Sequence, residues 1–430
     1  MGKKSVNNLY EPMLEYSNVE KKFHKAAKGK TERADVERIL NPQNIDEHIK
    51  FVIEQLSNTA PEGIKVPHPE YAWHPGKHEK QRINEQSSKK VRDIEKPRYN
   101  YEQIVHHIVI GACNEIMMKG MYEFVCGSVP ERGAHYGKKY IEKWIHTDGK
   151  NCKYVLKMDI RHFFESVDHD ILKDWLKKKI RDKRMLHILF EIIDGSDVGL
   201  PLGYYTSQWL ANFMLQPLDH YIKEELHAVH YIRYMDDMVI FGRNKKELHR
   251  MQETIEKYLN ENFNLQMKYN YQVFRFDYIE RKTGEHKGRP LDFMGFLFYQ
   301  DKTILRESIM LSATRKANRI SKKDTITWYD AAVMLSYMGY IDHTDTYDMY
   351  LRRIKPYVNV KKMKKLVSKH SKRKERKKRE RMEKGIRYGG NDAGGVRCGV
   401  VADNGVSETQ HRTVREDRTG RNYRLRMAEG

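Results

Sequence analysis

Four cysteines in 430 residues (Cys113, Cys126, Cys152 and Cys398), widely spaced, argue against a disulfide framework and a zinc site of the usual ligand spacing. They read as reduced, structural thiols. Long apolar runs are missing too, and the opening MGKKSVNNLYEPMLEY has no apolar block of the kind a secretory signal needs. The expectation is a soluble, cytoplasmic protein with no membrane partner. Acidic residues fall short of basic ones, 59 Asp+Glu against 80 Lys+Arg, giving a formal charge of +21 and a sequence pI near 9.5. What is present is a globular balance of 39% hydrophobic, 11% aromatic and 32% charged residues, which excludes a wholly disordered or fibrous chain. The length allows a large core and two or three subdomains.

The basic excess is concentrated but not confined to one place. From Lys361 to Arg387 there are 15 Lys+Arg against 3 Glu, a net +12. Helix-forming residues with almost no apolar face predict a solvated helix or a disordered arm here. Such a run serves as a solubilising tail or as a phosphate-binding arm, and the basic, aromatic-bearing body favours the arm and a nucleic-acid partner. Beyond it, the Gly-rich and aperiodic residues 389–430 read as a flexible tail.

No internal repeat is visible, so changes of pattern mark the elements. Residues 1 to about 60 look helical and amphipathic, and Thr59 to Tyr101 turns to Pro, His, Lys and Gln, which suggests loops and short strands. Helical periodicity follows in YEQIVHHIVIGACNEIMMKGMYEFV. Tyr154 to Ile160 reads as a buried strand ending in a carboxylate, Asp159. Thr206 to Lys223 places Leu210, Phe213, Met214, Leu218 and Ile222 at helical spacing, with an N-cap candidate at its start. YIRYMDDMVIF, Tyr231 to Phe241, is two apolar runs joined through Asp236-Asp237, a hairpin with acids at its tip. Residues 244–262 return to a helix with Leu248, Met251, Ile255 and Leu259 on one face.

Adjacent acids at a turn are usually turn chemistry alone, because Asp tolerates the backbone geometry. Embedded in apolar strands they are costly unless compensated, and a divalent cation is the natural compensation. Two Mg²⁺ ions held by a few carboxylates are a known solution for phosphoryl transfer to a 3′-hydroxyl.

Tyr234-Met235-Asp236-Asp237, preceded by KMDIRHFFESVDHDIL with Asp159, resembles the catalytic core of a reverse transcriptase. GLPLGYYTSQWLANFMLQPLD, NLQMKYNYQVF and PLDFMGFLFYQDKTILRES follow the order of that family's palm and palm-to-thumb motifs, and VRDIEKPRYNYEQIVHH and GSVPERGAHYGKKYIEKWI resemble its fingers motifs. The resemblance covers roughly residues 88–360. It implies an α+β right-hand polymerase with fingers, a palm of antiparallel sheet backed by helices, and a helical thumb. The implied division is an N-terminal extension and start of the fingers over 1–87, fingers and palm over 88–300, thumb over 301–367, and a basic arm with flexible tail over 368–430. Asp159, Asp236 and Asp237 match the catalytic, metal-binding carboxylates, and the Ile160 carbonyl completes one metal's shell. The cofactor implied is two Mg²⁺ ions, with Mn²⁺ as the alternative. Phe164 falls at the aromatic steric gate that selects deoxynucleotides; otherwise it is a core residue beside Phe163. Lys90 and Arg92 match positions that grip the dNTP triphosphate, or else contact RNA backbone. Leu202 and Gly203 fall at the dNTP-facing helix-entry motif. A general acid for pyrophosphate release is expected near Asn270, with Lys268 the nearest candidate.

Many reverse transcriptases carry Gln-Gly and then Ser-Pro in that entry motif, where this chain has Leu202-Gly203 and Ser207-Gln208. Leu202 cannot donate a hydrogen bond to the nascent pair, which bears on fidelity. The GLPLG and TSQ form is similar to the enzymes of diversity-generating retroelements, which misincorporate opposite template adenines. That resemblance implies an RNA template, a DNA or RNA primer, dNTPs, a cognate structured RNA and a basic accessory protein. The alternatives are an anti-phage defence enzyme, a retron or group II intron-type enzyme, or, in a different class, a catalytically silent RNA-binding scaffold. Trp328, Tyr329, Tyr337 and Tyr340 are either thumb core or base-stacking platforms. His106-His107 and His343 with Asp345 read as core or surface residues rather than metal ligands.

Overall fold

A computed structural model describes residues 5–31, 33–58, 79–85 and 90–388, with the side chains of 79–85, 90–93, 96, 100, 377–378 and 381–388 outside the description. The expected flexible tail, with Cys398, lies outside the described residues. The fold is mixed, helices with antiparallel sheet, as the sequence predicts.

Among the described residues before the first strand the chain is largely helical, because its apolar residues recur every three to four positions. Tyr16–Ala27 buries Val19, Phe23, Ala26 and Ala27, and Ile45–Ser57 buries Ile49, Val52 and Leu56. Both join the core around the helix Ile104–Lys119, which is apolar nearly all round and correspondingly buried. Between them β1 (Glu79–Glu85) and β2 (Lys90–Lys96) form an antiparallel ribbon.

The central sheet contains β3 (Tyr154–Asp159), β4 (His230–Tyr234), β5 (Asp237–Gly242) and β6 (Gln272–Arg275), in the order β4-β5-β3-β6, every pair antiparallel. Both faces are covered. Leu156, Met158, Tyr231, Met238 and Ile240 pack into the cluster that holds the helices Tyr205–Met214 and Lys245–Phe263. Val155, Ile232, Val239 and Phe241 pack on the other side against Ile141, Trp144 and the strands Leu291–Phe293, Phe296–Phe298 and Thr303–Leu305. Coverage on both faces explains why these strands read as apolar runs rather than strict alternation.

The helix expected from Thr206 to Lys223 starts at Tyr205 and breaks at Leu215, continuing as Gln216–His220 and a π-helical turn over Tyr221–Glu225. Pro217 explains the restart, since it cannot donate to the preceding turn and is tolerated in the first turn of a new helix. Thr206 is no cap; it is fully buried inside the helix. Its five apolar positions are all buried, as expected.

Helices Glu307–Ser321, Trp328–Ile341 and Tyr347–Arg353 follow, then Val360–Tyr388, which carries the basic run on without interruption at 367. Met363 is buried while Lys364, Lys365, Lys369 and Arg373 are exposed, so the helix is anchored at its start and solvated beyond. Tyr337 is core; Trp328 and Tyr329 are exposed, and Trp328 stacks on His370 with ring centroids 4.2 Å apart. No helix among the described residues is long and apolar enough to cross a membrane. Cys113, Cys126 and Cys152 are free and buried, and burial pushes each thiol up to about 12.

Candidate active site

Side chains alternate across a strand, so Val155, Lys157 and Asp159 share one face of β3, and Asp237, Val239 and Phe241 share one face of β5. The register pairs Asp159 directly with Asp237, and Tyr234 with Asp237 across the hairpin, leaving Met235-Asp236 as a two-residue turn. Met235 has φ +56°, the left-handed value that primed hairpin turns require of their first residue. The two acids at the tip are thereby brought beside the acid that ends β3.

Crowded negative charge, only partly offset by Lys268, is the site's main electrostatic feature. Burial, then the charges of Asp159 and Asp237, push the Asp236 carboxyl up to about 7. Burial and Asp159 also raise Asp237. Asp159 is differently placed: Lys268 Nζ pairs with its Oδ2, while its Oδ1 is buried with no hydrogen-bond partner. Lys268 is held there by its own backbone, whose N–H donates to the Asp159 carbonyl at 2.8 Å, beside a bridge between Ile160 and Met267. An orphaned buried carboxylate oxygen facing two acids held above their ordinary range is a donor set suited to divalent cations. Asp159, Asp236 and Asp237 are the residues that would hold them.

A compact trio of ion-binding type lies elsewhere, at Asp277, His286 and Asp301. Asp277 already accepts from His286 Nδ1 and, at 2.9 Å, from the Gln300 N–H, so its role is to tie two connections together.

Residues 87–296 match the family model described as reverse transcriptase (RNA-dependent DNA polymerase). The chain carries a reverse transcriptase domain. Over 109 residues it is 32% identical to the retron Ec73 reverse transcriptase of Escherichia coli, covering 22% of this chain and 34% of that protein. Over 192 residues it is 23% identical to the group II intron-encoded protein LtrA of Lactococcus lactis subsp. cremoris, covering 41% of this chain and 28% of that protein. The chain thus spans about a third or less of the length of these relatives. Among solved structures it is similar to a telomerase from Candida albicans, in complex with a fragment of telomeric RNA, at 10% identity and a TM-score of 0.40, covering 72% of this chain and 59% of that one.

Within the reverse transcriptase domain the remaining expected site residues fall in two groups. Phe164 lies in a 3-10 turn, Phe163–Ser166, that follows β3; Phe163 is buried, whereas Phe164 is only partly so, with ring centroids 5.5 Å apart. The Leu200 N–H donates to the Phe164 carbonyl at 2.6 Å, which seats the GLPLG loop against that turn. The same loop reaches the ribbon: the Glu95 N–H donates to the Leu202 carbonyl at 2.8 Å. Gly203 has φ +110°, and a Cβ there would fall 2.1 Å from the Glu95 carbonyl oxygen. Leu202 and Gly203 therefore hold β2 against the loop that rests on the turn after β3. Lys90 and Arg92 lie on β2, and their side chains are outside the described ones. His107 stacks on Tyr205 and His106 meets Tyr204 at a tilt, and burial drives His107 down to about 3, which suits a neutral core histidine.

Sequence reasoning missed Asp219, Arg233, Asn212 and Gly127, which lie behind the hairpin tip. The available signal was a charged residue, Arg233, inside an apolar strand.

Proposed function

We propose that the chain is an RNA-directed DNA polymerase that adds dNTPs to a primer 3′-hydroxyl, and that it is the error-prone enzyme of a diversity-generating retroelement. The observation that carries the polymerase reading is the register of β3 and β5, which sets Asp159 opposite Asp237 beside the Asp236 turn, inside a reverse transcriptase domain. In this reading the three carboxylates, with the Ile160 carbonyl, hold two Mg²⁺ ions or Mn²⁺ in their place. Bound there, such ions lower the pKa of the primer hydroxyl and neutralise the leaving phosphates. The Phe164 ring lies under the incoming sugar and excludes a 2′-hydroxyl. Lys90 and Arg92 grip the triphosphate, and the Leu202-Gly203 loop holds their strand in place. Lys268, which pairs with Asp159, protonates the leaving pyrophosphate in this reading.

Template RNA, primer and dNTPs are the partners in this reading, with a cognate structured RNA and a basic accessory protein for the mutagenic role. The division into N-terminal extension, fingers and palm, thumb and basic arm belongs to the same proposal, as does a cytoplasmic location. Leu202 in place of a hydrogen-bonding side chain supports low fidelity. The retron and group II intron relatives favour a second reading, in which the polymerase is of that type and copies accurately.

The test is primer extension on RNA with Mg²⁺ and dNTPs, beside an Asp236→Ala/Asp237→Ala variant, with products sequenced. DNA from the wild type alone, with errors clustered opposite template adenines, is the expected result. Accurate DNA would sink the mutagenic subtype and leave the polymerase. Inactivity on both generic and co-purifying RNA would favour the silent RNA-binding scaffold.

A further inference from the structure

A fully buried ion pair lies beneath the hairpin tip, on the side of β4 away from the carboxylates. Arg233 and Asp219 are both 0% exposed. Asp219 Oδ1 accepts from Arg233 Nε at 2.8 Å and Oδ2 from Nη2 at 2.6 Å, while the Tyr231 hydroxyl donates to Oδ1 at 2.7 Å. A pair this deep is poor evidence of stabilisation, because removing two charges from water costs about as much as their attraction returns. An apolar pair of similar volume would often hold such a core as well.

What an apolar pair lacks is the third arm of the guanidinium. Arg233 Nη1 donates to the Met235 carbonyl at 2.8 Å and to Asn212 Oδ1 at 2.9 Å. Asn212 Nδ2 donates to the Gly127 carbonyl at 2.8 Å and lies 3.6 Å from Met235 Sδ. Gly127 closes the other side: a Cβ there would fall 2.7 Å from the Met235 backbone nitrogen. All of these contacts converge on the residue whose left-handed backbone launches Asp236 and Asp237. For a residue other than glycine that conformation costs about 1–2 kcal/mol, so it persists only where its surroundings hold it.

We propose that Asp219, Arg233 and Asn212 are positioning residues that lock the Met235 carbonyl and thereby set how Asp236 and Asp237 meet divalent cations. The proposal rests on the reading of those acids as cation ligands. Asp219 fixes the guanidinium, the guanidinium and Asn212 fix the turn, and the turn fixes the acids. The network acts on the site from behind, touching no carboxylate of it.

The test compares Asn212→Ala, Arg233→Lys and the charge-compensated pair Arg233→Met/Asp219→Asn with the wild type. Mn²⁺ binding to the metal-free proteins is followed by electron paramagnetic resonance, with Asp236→Ala/Asp237→Ala as background. Folding is followed by circular dichroism and primer extension across Mg²⁺ concentration. The expected result is folded variants whose Mn²⁺ affinity falls by about 10- to 100-fold, as loss of groups behind a ligand typically gives, with a matching rise in half-saturating Mg²⁺. Primer–template affinity in EDTA should stay unchanged. Folded variants that bind Mn²⁺ like the wild type would overturn the proposal, and so would unfolding of all three, since the network would then serve the fold alone. A wild type whose Mn²⁺ binding is indifferent to Asp236 and Asp237 would overturn it too. A wild type that binds Mn²⁺ through those acids yet extends no primer would remove the polymerase reading, while the variants' Mn²⁺ affinities would still decide this one.

Discussion

Replacing Asp236 by Asn should stabilise the metal-free protein at alkaline pH and leave it unchanged in acid. The folded chain holds the Asp236 carboxyl near 7, through burial and the charges of Asp159 and Asp237, against an ordinary value of 3.8. The folded state therefore keeps a proton that the unfolded state has released, and stability falls as pH rises through that window. At about 1.4 kcal/mol per pH unit, a window of about three pH units caps the loss at about 4 kcal/mol. Water at the partly buried carboxyl, and a titration shared with the neighbouring acids, bring the expected effect to about 2 kcal/mol. Urea unfolding in EDTA, read by tryptophan fluorescence, should give equal stabilities only below the unfolded value of 3.8, where the wild-type carboxyl is neutral in both folded and unfolded states, a gap that opens as pH rises through the window, and a variant more stable by the full amount near about pH 8. Excess Mg²⁺ should close the gap, because a bound cation compensates the wild-type acids and has one fewer ligand in the variant. Parallel stability profiles for the two proteins, or a wild type that gains on the variant as pH rises, would refute the reasoning.

Phe164→Ala should admit ribonucleotides, raising their incorporation relative to deoxynucleotides by at least about tenfold, within the discrimination a shaped apolar contact can provide; unchanged sugar selectivity would return Phe164 to the core. Gly203→Ala puts a methyl group 2.1 Å from the Glu95 carbonyl oxygen at a backbone angle that disfavours it. It should displace β2 and raise the KM for dNTPs while Mn²⁺ binding holds, and an unaltered KM would separate that loop from nucleotide binding. Gln at the exposed Lys364, Lys365, Lys369 and Arg373 should weaken RNA binding and reduce the slope of log affinity against log salt by about 3, at about 0.7 per lost single-strand phosphate contact. Salt dependence identical to the wild type would make the helix a solubilising one.

Which parts of the site could be read in advance follows from the range of the forces involved. The carboxylates were legible because each is marked locally: Asp159 by the apolar strand it ends, Asp236 and Asp237 by the two runs they join. Strand pairing then has few choices, since a shift of one residue would turn Val155, Val239 and Phe241 away from their cluster. Lys268 was only the nearest cation by sequence, and the Ile160–Met267 bridge is what brings it to Asp159. The break at Leu215 went unread because the apolar spacing of Leu210, Phe213, Leu218 and Ile222 survives it; periodicity reports the buried face and is blind to an interruption that keeps it. The network behind Met235 is the extreme case. Arg233 stands out as a charge in a buried strand, but its partner Asp219 sits on a different element, in a segment that reads simply as amphipathic helix. Asn212 and Asp219 lie seven residues apart, one on each side of the Leu215 break, and both reach the back of the hairpin through Arg233. A sequence can advertise a charge that needs a partner; only the fold says which one it finds, and here that choice converges on the one backbone conformation the acids depend on.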